Sequence, residues 1–154
     1  MEPLDWALLP FKRYFDFSGR SSRAEYWYFT ALGLFVSLFI LLLQMMSGEL
    51  GRPGALSVVN SLFGLATFIP SIAVAVRRLH DINQSGFVLL KYIFGFAVIL
   101  IAIPFAMFIG FFAVGLVVLA AIVVGLKYLM LMVTEGDRGP NLYGPNPYGL
   151  TYGY

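Results

Sequence analysis

The sequence predicts an all-α polytopic membrane protein, a helical bundle of four transmembrane helices plus an N-terminal interfacial amphipathic helix. Hydrophobic residues make up 60% of the 154 residues and charged residues only 12%, with a mean hydropathy of +0.84. That balance lies well outside the range of a water-soluble domain. The charges sit between long uncharged runs that match the thickness of a bilayer, and lysine and arginine collect on one side of the resulting topology. By length the whole chain, 1–154, is a single membrane domain.

Composition also excludes. A formal charge of +2 with dispersed cations offers no basic stripe to neutralise the phosphates of nucleic acid. Without cysteine there is no disulfide, thiolate metal site or cysteine nucleophile. No basic-then-apolar segment ending in a small-residue cleavage site opens the chain, so the first hydrophobic run reads as a retained anchor.

Residues 4–17 (LDWALLPFKRYFDF) set Leu8, Leu9, Phe11, Tyr14 and Phe15 among Asp5, Lys12, Arg13 and Asp16. This suits a helix in the interface, with aromatic rings and leucines in the acyl boundary and cations among headgroups. It equally suits a surface helix packed on its own bundle. Pro10 is placed to start a helical turn. Ser18 and Gly19 end the segment, and Ser22 with Glu25 has the S-x-x-E spacing of a capping box. Residues 1–25 are therefore interfacial and cytoplasmic.

Residues 26–46 are 21 without a charge. At ~1.5 Å per residue they reach ~31 Å, against a hydrocarbon core of ~30 Å. Tyr26, Trp27 and Tyr28 mark the headgroup level. Glu49, Gly51, Arg52, Pro53 and Gly54 then make a turn in water, and the second span is 57–76. After a polar island, 92–126 gives 35 uncharged residues. As one helix it would reach ~52 Å, too long for one upright span and slightly short for two. We read a hairpin, spans 87–108 and 111–133, bracketed by Lys91 and Lys127, which can snorkel to the same surface. Only Gly110 offers a break, and one long tilted helix is the alternative.

Four spans place Lys12, Arg13, Arg20, Arg23, Arg77, Arg78, Lys91, Lys127 and Arg138 on one side and Arg52 alone on the other. The positive-inside rule makes the crowded side cytoplasmic, with both termini. The island RRLHDINQSG (77–86), with the sole histidine, lies on that side. So does the tail, 135–154, whose glycine, proline, asparagine and tyrosine form turns. It is either a terminus without order or a set of turns folded back over the island.

Three strings stand out: FSGRSSRAEYW (17–27), RRLHD with Ser85-Gly86 (77–86), and GPNLYG (139–144). They resemble the signature blocks of an uncharacterised bacterial inner-membrane family filed as domain of unknown function 805, and the likeness spans essentially the whole chain. The resemblance implies a small multi-span protein of the bacterial inner (plasma) membrane. It supplies no activity.

The blocks bring Arg20, Arg23, Arg77 and Arg78 to one surface with Glu25, His80, Asp81, Asn141 and Tyr143. In a structural reading Asp16, Glu25, Asp81, Glu135 and Asp137 pair with the arginines and tie the helix ends together. In a functional reading the arginine forks take a phosphate or carboxylate, with Asn141 and Tyr143 closing the site. Pairing is favoured, since most interfacial arginines pair locally or contact bulk lipid. His80 and Asp81 resemble an acid/base pair, but helical neighbours diverge by about 100°, so a carboxylate orienting His80 is expected to be Asp16, Glu25 or Asp137. We assign no catalytic residue, metal or cofactor. The leading reading is a non-enzymatic membrane protein whose cap binds anionic lipid headgroups or a protein partner. An oligomeric channel or small-solute transporter is second, and a lipid-modifying enzyme using His80 third; homo-oligomers are compatible with each, and nucleic acid is not a partner.

Overall fold

The computed structural model describes residues 2–147. These form the helices α1 (Pro3–Lys12), α2 (Arg23–Ser47), α3 (Ala55–Asp81), α4 (Phe87–Ile109) and α5 (Phe111–Val133). The last four are long and apolar enough to cross a membrane. No strand occurs among the described residues. The tyrosines beyond Asn146 that close the expected tail lie outside the described residues.

α1 starts earlier than Pro10 suggested. Pro3 occupies its first turn, where a missing N–H costs nothing, and Pro10 sits inside the helix, fully buried. The helix packs on its own bundle through one face and leaves the other open. Ala7 and Pro10 turn inward and Phe11 meets Phe29 edge-on at 5.4 Å, while Leu4 and Leu8 point outward.

Ser22 caps α2, its Oγ accepting from the Glu25 amide at 3.1 Å. The reciprocal half of a capping box is replaced, because the Glu25 carboxylate turns to Arg77. α2 ends at Gly48, whose φ of 73° is left-handed, a conformation glycine adopts without a Cβ clash. α3 returns antiparallel and continues beyond residue 76 to Asp81, so the first half of the polar island is its last turn.

The 35-residue uncharged run is two helices broken at one glycine. Gly110 has φ 127° and ψ 179°, a region essentially closed to other residues. α4 and α5 therefore reverse with no polar loop, and Tyr92 comes back beside Tyr128 at 5.3 Å.

The core sits at one end of the bundle. Tyr26, Phe29, Val74, Ala75, Leu79, Leu89 and Met132 pack together there, close to the ends of α3 and α5. Beyond it, toward Gly110, apolar side chains face outward, and Phe108 and Phe111 are 95% exposed. In a bilayer such a surface meets lipid tails, which are as apolar as the side chains themselves.

Candidate functional site: the arginine cap

The last carbonyls of an α-helix have no partner within it. At the end of α3 the following turn takes Leu79 O and His80 O, and distant parts of the chain add further bonds to the helix end. Ser21 N donates to Arg77 O at 3.0 Å, Asn141 Nδ2 to His80 O at 2.9 Å, and Asp137 N to Asp81 O at 2.9 Å. The three sequence blocks are thus stitched to one helix terminus through its backbone.

Side chains build inward from there. Arg77 is wholly buried and donates Nε to Ser21 Oγ (2.7 Å), Nη2 to Glu25 Oε1 (2.8 Å) and Nη1 to Asp16 O. Arg78, also wholly buried, donates Nε to Met132 O (3.1 Å), Nη1 to Asp81 Oδ2 (2.5 Å) and Nη2 to Thr134 O. Arg20 places Nε and Nη2 each 2.9 Å from Asp81 Oδ1 and donates Nη1 to Gly139 O at 2.7 Å. Its Nη2 also reaches Asp137 O at 2.5 Å.

Three buried arginines therefore share two buried carboxylates, Glu25 and Asp81. The remaining positive charge is met by carbonyls. Met132 O and Thr134 O lie at the C-terminal end of α5, where the helix dipole concentrates partial negative charge. No buried side-chain nitrogen or oxygen among the described residues lacks a partner.

The other carboxylates serve elsewhere. Asp16 pairs with Arg13 at 2.8 Å, and Glu135 with Arg138 at 3.6 Å on the surface. Asp137 contributes its backbone to the cap, while its carboxylate accepts from Asn141 Nδ2 at 2.9 Å. The Ser18 hydroxyl first, and then Arg13, hold the Asp16 carboxyl down at about 2.

His80 is oriented by a carbonyl instead of the expected carboxylate. Its Nδ1 lies 3.0 Å from Gly19 O, which assigns the proton to Nδ1. Tyr143 stacks flat on the imidazole, centroids 3.8 Å apart and planes 2° from parallel. Asn141 fixes that tyrosine by accepting from its amide at 2.9 Å, and the tail segment 137–144 is folded over the island. Arg23 lies on the rim, exposed, with Nη1 3.5 Å from Val133 O.

Sequence reasoning missed Ser21, Gly19 and the carbonyls of residues 132–139, because backbone acceptors leave no trace in residue type. Ser21 did lie within the first signature string.

A second feature lies along the apolar helices. Between α2 and α3 a cleft of about 570 Å³ is lined by Thr30, Ser37, Asn60, Thr67 and Ser71, with Tyr26 and Tyr128 among its other walls. The hydroxyls of Thr30, Thr67 and Ser71 donate to carbonyls of their own helices at 2.7–2.9 Å.

Four apolar helices closed at one end by a buried arginine–carboxylate lattice define a small multi-pass membrane protein. The comparisons agree with that class. Residues 14–145 match the family described as protein of unknown function (DUF805), and the chain belongs to that family. It is 35% identical over 144 residues to the inner membrane protein YhaI of Escherichia coli K12, covering 94% of this chain and 96% of that one. It is also 35% identical over 102 residues to the inner membrane protein YhaH of the same strain, covering 66% and 84%. No solved structure matches significantly. The chain is a multi-pass inner-membrane protein.

Proposed function

We propose that this is a non-enzymatic inner-membrane protein whose cap faces the cytoplasm and engages anionic lipid headgroups. The division of the cations supports this reading. Arg20, Arg77 and Arg78 are buried and saturated by carboxylates and carbonyls, so they give the cap its shape. Lys12, Lys91 and Lys127 are exposed, and none is ion-paired to a carboxylate among the described residues. Cations near an anionic leaflet are worth about 1 kcal/mol each. The ligand contact in this reading moves from the arginines to the rim.

The test is lipid retention by the purified protein. In native mass spectrometry, phosphatidylglycerol is expected to be retained over phosphatidylcholine, with the preference falling as salt screens the rim. Equal retention of both lipids overturns the reading. The oligomeric channel keeps one supporting observation, the polar lining of the α2–α3 cleft. Flux of ions or small solutes through protein-loaded liposomes would favour it.

A further inference from the structure

Beneath the rim, α4 and α5 leave a groove of about 410 Å³. Lys91 on α4 and Lys127 on α5 both line it, with Tyr92, Gly95, Val124 and Leu131 among its other walls. The lysines are exposed, while those four residues are half-buried. The residues of the groove that reach water are thus the two lysines and the neutral Gln84, and the walls below are mainly apolar.

Nothing in the described chain neutralises these two cations. The nearby acids are committed: Asp16 to Arg13, Glu25 to Arg77, Asp81 to Arg20 and Arg78, Glu135 to Arg138. Asp137 accepts from Asn141. Two like charges at one site repel each other, and an anion between them turns repulsion into two attractions.

The position defines the class of anion. Lys91 and Lys127 bracket the uncharged stretch of α4 and α5, so their stems lie in the interface and their ammonium groups reach the headgroup level. A soluble anion would leave the apolar walls bare. A lipid with an anionic phosphate fills both parts. Gly95 supplies depth: a Cβ there would meet Val124 Cγ1 at 3.7 Å, an ordinary contact, so a larger side chain would occupy the groove.

We propose that Lys91 and Lys127 hold the phosphate of one anionic phospholipid whose acyl chain lies in the groove over Gly95. This site rests on the reading of the rim given above and names its principal contact.

The experiment is native mass spectrometry of the full chain titrated with phosphatidylglycerol or phosphatidylcholine. Wild type is expected to retain one phosphatidylglycerol with a preference of about thirtyfold over phosphatidylcholine, two lysines at about 1 kcal/mol each. K91Q/K127Q should lose that preference with an unchanged unfolding temperature. K91R/K127R should keep it, which guards against a loss that comes from altered folding. G95L should weaken retention of both lipids by filling the groove. An undiminished preference in K91Q/K127Q overturns the site. If the preference instead disappears in K12Q/R23Q, the rim still binds anionic lipid and only this site falls. Absence of any preference in wild type overturns both.

Discussion

Arg20 and Asp81, 61 residues apart in sequence, meet through two guanidinium nitrogens each 2.9 Å from one carboxylate oxygen. The other oxygen of Asp81 accepts from Arg78 at 2.5 Å. One buried anion therefore joins the first signature string to the last turn of α3. It also helps hold Arg78 on the end of α5.

That sharing makes Asp81 the most sensitive position of the cap. Removing one partner of a buried ion pair leaves an uncompensated charge and costs about 3–5 kcal/mol, and Asp81→Ala would strand two arginines. A loss of at least that order is expected in the thermal or denaturant unfolding of the detergent-solubilised protein. Glu135→Ala, which removes an exposed pair, should change stability by less than about 1 kcal/mol. Similar effects at the two sites would mean that the buried lattice does not hold the fold.

Gly136 tests the same carboxylate from the tail. A Cβ at this position would overlap the Asp81 carboxylate, so Gly136→Ala must push the tail away or displace Asp81 from its arginines. Overpacking of this kind costs about 1–3 kcal/mol. Gly139 has open space where its Cβ would stand, and Gly139→Ala should be nearly neutral. Equal unfolding midpoints for the two variants would show that the tail does not press on Asp81.

Asp16 gives the cap an acid dependence. Its carboxyl is lowered from 3.8 to about 2 by the Ser18 hydroxyl and Arg13, so the folded state favours the ionised form. The stabilisation is complete above the unfolded value and is lost as pH falls through the folded one, a window from about 4 down to about 2. Asp16→Asn should remove this part of the pH dependence and leave the profile above about pH 5 unchanged in shape. A wild-type profile that Asp16→Asn does not alter below pH 4 would contradict the assignment.

Much of this architecture was legible in the residues, for reasons that differ by element. The spans follow from length and absence of charge, which a bilayer reads directly. The hairpin was ambiguous because its whole turn is Gly110, and a backbone at φ 127° leaves only the identity of that glycine as a sign. The cap residues stood out as charged types in an apolar chain, but their pairing did not. Glu25 looked like half of a capping box and is instead the counter-ion of Arg77. His80 invited a carboxylate and found the Gly19 carbonyl. Partners that are backbone atoms, such as Met132 O and Thr134 O on Arg78, become visible only when helix ends converge.

The orientation of that convergence is open to a direct test, because the chain contains no cysteine. Ser85 is exposed in the short connection between α3 and α4 at the cap end, and Leu50 is 54% exposed in the turn at the far end. A membrane-impermeant maleimide should label Ser85→Cys only in inverted vesicles and Leu50→Cys only in right-side-out spheroplasts, if the cationic end faces the cytoplasm. Labelling of both variants from one side would contradict a membrane-crossing α3, whose two ends these positions flank. The reverse pattern would place the rim lysines on the periplasmic leaflet and move the proposed lipid contact to that surface, where the positive-inside rule gives no reason for nine of the ten cations to gather.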